Sequence, residues 1–235
     1  MKIIDFIREL VFPETCVICK NKPDGRFGNS LCSECGREYL KLTVAECAVC
    51  GKSQIDCRCK PKVAVKNAKY IHLFEFDGDF SRRLTYSLKK RNRAALRRFI
   101  ANEMSQRLKL LGVVDADITY APRGRESINK YGFDQSYELA RLISINNSYK
   151  LKKLFVHTRR NVLQKTLSVD ERAENARQSF ALNQGERCES ETLIIIDDVV
   201  TSGSTAKTLC DLAKSAGAKS IIVFTMAKTV YKRQR

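Results

Sequence analysis

Short runs of branched and aromatic residues alternate along most of the chain with stretches in which apolar residues recur every three or four positions. YIHLFEF, from Tyr70 to Phe76, predicts a strand. Phe80 to Leu111 carries helical spacing, as one helix or as two with a break near Asn92. DITYAP, from Asp117 to Pro122, predicts a buried strand that ends in a loop, and Gln135 to Ile145 repeats Leu139, Leu142 and Ile143 at helical spacing. KKLFV, from Lys152 to Val156, predicts a further strand. Ser168 followed three positions later by Glu171 forms a capping-box signature at a helix start. TLIIIDD, from Thr192 to Asp198, then predicts a strand. STAKTLCDLAKSAGA predicts a helix closed by Gly217, and SIIVFTMA a last strand. Strands alternating with helices predict an α/β fold around a mostly parallel sheet with right-handed crossovers.

The first sixty residues do not follow this pattern. MKIIDFIREL predicts a short amphipathic helix with Ile3, Ile4, Ile7, Leu10 and Val11 on one face. Asp5, Arg8 and Glu9 interrupt it too often for a secretory signal, and no stretch approaches the length of a membrane span. A cytoplasmic protein without membrane insertion is expected. Eight of the ten cysteines fall between Cys16 and Cys59, as Cys16/Cys19, Cys32/Cys35 and Cys47/Cys50, each C-x2-C, and Cys57/Cys59, C-x-C. A C-x2-C pair forms a knuckle that offers two thiolates to one tetrahedral ion. Eight thiolates therefore predict two structural Zn2+ sites, paired in sequence order or interleaved, with every coordination position filled by sulfur. A disulfide framework is disfavoured in a reducing compartment, and the paired knuckles favour zinc over an iron–sulfur cluster. Cys188 and Cys210 read as ordinary thiols. The expected organisation is an N-terminal helix and double zinc ribbon over 1–60, a lysine-bearing linker from Lys60 to Lys69, and a larger domain over 70–235.

The composition is that of a folded globular chain, 43% hydrophobic and 29% charged, over 235 residues. A net charge of +17 favours polyanionic partners: nucleic acid, phosphorylated metabolites or anionic lipid. Arg82 to Arg98 holds eight Lys or Arg and no acid. Within it Lys89, Lys90, Arg91 and Arg93 are candidates for nucleic-acid contact, although Leu84, Leu88 and Leu96 also give the segment an ordinary core stripe. Stacking aromatics are sparse and Trp is absent.

IIIDDVVTSGST, from Ile194 to Thr205, carries the sharpest chemistry. Ligands of open parallel sheets gather beyond the carboxyl ends of the strands, which is where Asp197 and Asp198 fall. Val199 and Val200 lead from them to Thr201, Ser202, Gly203, Ser204 and Thr205, just before the predicted helix. Backbone amides, hydroxyls and the positive end of that helix suit a terminal phosphate, and the two carboxylates suit vicinal ribose hydroxyls. A sugar 5-phosphate fits both. An acidic strand end with an N-capping serine is the bland alternative. A Walker B strand is excluded: the only Gly-Lys-Ser, Gly51 to Ser53, has Glu46 where the first glycine of that loop belongs.

This stretch resembles the phosphoribosyl-pyrophosphate (PRPP) signature of type I phosphoribosyltransferases. The whole chain resembles the competence protein ComF family, in which a double zinc ribbon precedes such a domain. YAPRGRESINKYGFDQSYELA resembles that family's segment ending in arginine-glycine-phenylalanine-asparagine-glutamine. RRNVLQKTLSVDERAENARQSF resembles its segment with spaced glutamine, glutamate-arginine, asparagine and phenylalanine, here Gln164, Glu171, Arg172, Asn175 and Phe180. The chain departs from the pattern at Tyr131, where the family usually has arginine, and at Asp134, where it usually has asparagine. The resemblance implies PRPP binding with Mg2+, ribose hydroxyls on Asp197 and Asp198, and the 5-phosphate on Thr201 to Thr205. It also implies a pyrophosphate side served by Arg123 and Arg125, and a closing lid over about Thr158 to Ser168 with Arg159, Arg160, Gln164 and Lys165. For biological role it implies DNA uptake in natural transformation, with single-stranded DNA and a ComF-type helicase as partners. A metabolic phosphoribosyltransferase acting on an unidentified acceptor is the alternative.

Overall fold

A computed structural model describes residues 14–44, 47, 50–53, 56–61, 63–65, 67–90, 93–158 and 178–229. The expected N-terminal helix, the capping box at Ser168 and Glu171, and the expected lid from Arg159 onward lie outside the described residues.

Five strands form one sheet in the order β1 (Ala68–Phe76), β7 (Ser220–Thr229), β6 (Thr192–Val200), β2 (Asp117–Tyr120), β3 (Lys150–Leu151), and every neighbouring pair is parallel. Alternation along the strands sorts their side chains into two cores, because successive residues of a strand face opposite sides. Ile194, Ile196, Ile222, Phe224 and Met226 face one layer. Leu193, Ile195, Ile221 and Val223 face the other. The strands are buried on both faces, as all-parallel sheets require, and for that reason they read as continuous apolar runs.

On the first face lie α2 (Gly78–Lys90), α3 (Ala94–Leu110) and α5 (Gln135–Asn147), through Leu84, Leu88, Leu96, Ile100, Met104, Leu139 and Ile143. Two helices separated between Lys90 and Ala94 match the break expected near Asn92. On the other face α6 (Ser204–Ser215) buries Ala206, Leu209, Cys210 and Ala213. A short α4 (Arg125–Tyr131) ends at Gly132, whose φ of 77° is the left-handed turn that glycine adopts without a β-carbon penalty. Among the described residues no helix is long and apolar enough to cross a membrane.

The strand expected over KKLFV is corrected. Lys150–Leu151 forms the sheet edge, and Lys152 still donates its amide to the Ile118 carbonyl at 2.8 Å. Beyond it the chain leaves the sheet. Phe155–His157 (β4) pairs antiparallel with Phe180–Leu182 (β5) in a separate ribbon. Leu154 and Phe155 are buried in the α6-side core, so their apolar surface is covered there without extending the sheet.

The first half of the cysteine module is built into the α3-side core. Cys16, Val17, Ile18 and Leu31 belong to it, as does Tyr39 of α1 (Ser33–Val44). Tyr39 is fully buried, meets Phe99 and Phe74 edge-on at centroid distances of 5.0 and 6.3 Å, and donates its hydroxyl to Glu103 at 3.1 Å. The sequence division between 1–60 and 70–235 therefore runs across shared apolar packing.

Candidate functional site

Topology fixes where a ligand meets this sheet. The chain leaving β2 returns through α5 on one face, and the chain leaving β6 returns through α6 on the other. β2 and β6 are neighbours, so their carboxyl ends flank the crevice from which these two helices diverge, the position at which open α/β sheets bind ligands. Asp197 and Asp198 stand on one lip and the loop Ala121–Gly124 on the other.

Strand alternation would send the two acids to opposite faces. Each instead accepts the amide of the next residue, Asp198 N donating to Asp197 at 2.8 Å and Val199 N to Asp198 at 2.7 Å. Each carboxylate is thus folded back onto the backbone amide that follows it. Asp198 is only 13% exposed and is shared by three groups: Lys89 Nζ at 3.1 Å, the Arg123 guanidinium at 3.9 Å, and the side-chain amide of Gln135. Burial alone would raise its pKa, but the two cations outweigh it and hold the group below the ordinary carboxylate range. For Asp197, burial and then the adjacent charge of Asp198 act together and push it well up. Their surroundings thus push the two adjacent carboxyls in opposite directions.

Across the crevice, Arg123 also donates through Nη2 to the side-chain oxygen Oε1 of Gln135, and its guanidinium lies 5.6 Å from the centre of the Tyr131 ring. Among the described residues its buried Nη1 has no hydrogen-bond partner, and a buried donor of this kind calls for an acceptor. Asp134 accepts the Arg123 amide at 2.9 Å and caps α5 through the amides of Ser136 and Tyr137. Both departures from the family pattern thus have local work: Tyr131 gives Arg123 an aromatic face, and Asp134 is an N-cap, a position where aspartate and asparagine serve equally.

After Val199, half-buried, and Val200, buried, the 201–205 turn enters α6 through Gly203, with φ of 91°. Ser202 and Ser204 turn inward, their hydroxyls 3.0 Å apart, whereas Thr201 is exposed and Thr205 half-exposed. The amides of Thr205 and Ala206 open the helix without a hydrogen-bond partner among the described residues, as the first turn of any helix does. The linker reaches this turn: Val63 N donates to Ser202 O at 2.8 Å, and the Val63 carbonyl and Pro61 cover the α-carbon of Gly203.

Other expected residues divide. Arg125 is exposed on the first turn of α4, and Gln164, Lys165, Arg159, Arg160 and Arg91 lie outside the described residues. The basic candidates do not form one surface: Lys89 is held at Asp198, Lys90 sits 4.4 Å over the Tyr86 ring, and Arg93 donates to the Thr15 carbonyl at 3.0 Å. Sequence reasoning missed Lys89 and Gln135 as parts of the acid site. Gln135 closes the segment that resembles the family pattern, which was a usable signal; Lys89 was hidden in a charge run.

The cysteines pair in sequence order. Cys16, Cys19, Cys32 and Cys35 bring four sulfurs within 4.8 Å of one another, and Cys47, Cys50, Cys57 and Cys59 do the same. Tetrahedral zinc with Zn–S of about 2.3 Å needs sulfurs about 3.8 Å apart, and Cys50 and Cys57 are 3.8 Å apart. Both groups fit that ion.

No protein-family model matches this chain, and no curated protein does. Among solved structures it is similar to the allosteric regulatory enzyme of purine biosynthesis, at 15% identity and a TM-score of 0.40, over 60% of this chain and 30% of that one. It is similar to adenine phosphoribosyltransferase from Leishmania tarentolae at 10% identity and a TM-score of 0.40, over 72% and 94% of the two chains. A hypoxanthine phosphoribosyltransferase from Staphylococcus aureus is similar at 12% identity and a TM-score of 0.34, over 58% and 73%.

Proposed function

We propose that the crevice between β2 and β6 binds PRPP, as its magnesium complex, and that the protein is a phosphoribosyltransferase-type domain carried beside a double zinc ribbon. One observation carries this reading: two adjacent carboxylates at the end of β6 run directly into a hydroxyl- and amide-bearing turn, with two cations beside Asp198. The pair suits the ribose diol. The turn suits the 5-phosphate. Arg123 and Lys89 supply positive charge where pyrophosphate would depart, the stabilisation that an oxocarbenium-like transfer needs.

The reading predicts separable losses. In calorimetric titrations with Mg2+ present, Asp198→Asn should weaken PRPP by about tenfold or more, the value of charge-assisted bonds to a diol. Inorganic pyrophosphate, which has no diol, should keep or gain affinity. No heat from PRPP with the unaltered protein, or equal PRPP binding by the variant, would end the proposal.

For biological role we infer a ComF-like protein of DNA uptake that handles single-stranded DNA, in preference to a metabolic transferase. Supporting it is a cavity of about 350 Å3 between the first cysteine knuckle and α2, lined by Val17, Ile18, Lys20, Arg82, Arg83 and the half-exposed Tyr86. These cations suit a phosphate backbone, and the exposed part of the Tyr86 ring that Lys90 leaves uncovered suits a stacked base. Binding of a single-stranded oligonucleotide should fall steeply with salt. Arg82→Ala should reduce the slope of log K against log salt by about one; salt-independent binding, or an unchanged slope, would remove DNA from the reading.

A further inference from the structure

We propose that Lys89, on the last turn of α2, is the residue that receives the diphosphate of PRPP and so separates PRPP from ribose 5-phosphate. The assignment rests on the PRPP reading of the crevice and adds to it a residue of the basic helix.

Lys89 reaches the rim from outside. Its side chain is 48% exposed, yet Nζ lies 3.1 Å from Asp198, which is 13% exposed and is also approached by Arg123 and Gln135. One carboxylate oxygen, Oδ2, therefore serves two cations and an amide donor. Arg123 retains a buried Nη1 with no partner among the described residues. Among the described residues, Asp198 is thus surrounded by more donors than this one oxygen can satisfy.

A ligand whose diol occupies Asp198 would take the lone pairs that now hold Lys89. The nearer hydroxyl of the diol sits on the carbon bonded directly to the anomeric carbon, which bears the diphosphate. A cation 3.1 Å from the diol's carboxylate is thus within a side-chain rotation of that diphosphate. A lysine can make this exchange more readily than an arginine, because its ammonium is a compact point charge on a flexible stem. Arg123, bonded to Gln135 and 5.6 Å from the centre of the Tyr131 ring, stays in place. The ion pair with Asp198 is then the resting position of a cation whose working partner is the leaving group.

The bland alternative is that Lys89 only neutralises Asp198. That role would affect every ligand that uses the diol, whereas contact with the diphosphate affects only ligands that carry one. The zinc-loaded full chain and its Lys89→Met, Lys89→Gln and Lys89→Arg variants should be titrated with PRPP, inorganic pyrophosphate and ribose 5-phosphate in Mg2+. Lys89→Met and Lys89→Gln should weaken PRPP and pyrophosphate by about tenfold or more and leave ribose 5-phosphate within about twofold. Lys89→Arg should recover most of the PRPP affinity. Equal weakening of PRPP and ribose 5-phosphate, or no change in either, would overturn the assignment while leaving the PRPP reading intact. Failure of the unaltered protein to bind PRPP would remove both. The half-exposed side chain makes folding of the variants the expectation, and thermal melts of all four proteins check it.

Discussion

Stripping metal from the purified protein is expected to cost the larger domain its cooperative unfolding, not only to loosen the cysteine module. The reason is where the first cluster sits. Cys16, Cys32 and Cys35 are buried together with Val17, Ile18 and Leu31 in the same core that holds Phe74, Phe99 and Met104. Tyr39 wedges α1 between Phe74 and Phe99, and Arg93 and Arg83 bind the carbonyls of Thr15 and Ile18. Four thiolates without an ion would repel one another when ionised, or would need burial as thiols; zinc removes that choice. In small metal-dependent domains such an ion supplies about 10–16 kcal/mol, against a total stability of about 5–15 kcal/mol for an ordinary domain. A Cys35→Ser change that cost only about 5 kcal/mol of this would lower Tm by about 10–20 °C. The second cluster lacks such support: Cys47 and Cys57 are buried, but none of its cysteines belongs to either of the two cores. Cys50→Ser should therefore lower Tm by less than half as much. Metal analysis should find two zinc ions per chain. An unchanged melt after verified loss of both ions, or equal effects of the two substitutions, would contradict this account.

What could be read from the sequence follows the range of the interactions. The strand-and-helix alternation was legible because a parallel sheet buried on both faces leaves unbroken apolar runs such as Ile194 to Ile196, and because amphipathic helices repeat locally. The acid pair and its turn were legible for the same reason: strand, carboxylates, turn and helix start are contiguous. The cysteine knuckles showed that two ions fit but left their pairing open, since spacing alone does not say which knuckles meet. Contacts between distant segments were not legible at all. Lys89 lies in a run of cations that looks like a solvated face, and only the fold brings it to Asp198. KKLFV has the composition of a strand, but composition does not name a partner, and the structure pairs its second half with Phe180–Leu182 in a separate ribbon. The linker Lys60–Lys69 read as a spacer, yet Val63 and Pro61 lie on the 201–205 turn, where no pattern in either segment predicts the other.

That contact makes Gly203→Ala the substitution with the clearest expected effect on the site. Two separate costs meet there. Gly203 has φ of 91°, a left-handed conformation in which an L side chain is strained by about 1–3 kcal/mol. An added β-carbon would also meet the Val63 carbonyl oxygen and would lie 2.8 and 2.9 Å from the Pro61 ring atoms. The linker must then move, or the turn must. Either movement disturbs Ser202, whose carbonyl accepts the Val63 amide, and with it the hydroxyls and amides proposed to hold the 5-phosphate. Gly217 separates the two costs: its φ is 96°, nearly the same, but a β-carbon there meets nothing within 4 Å. Gly217→Ala should show strain alone, a Tm lower by about 2–4 °C for each kcal/mol, and should bind PRPP unchanged. Gly203→Ala should show at least twice the loss in Tm, and its PRPP affinity should fall by about tenfold or more, with several hydrogen bonds to one phosphate disturbed together. Thermal melts and calorimetry on the two variants decide it. If both lose stability equally and both bind PRPP as the parent does, the linker does not shape the turn, and the phosphate is held somewhere other than residues 201–205.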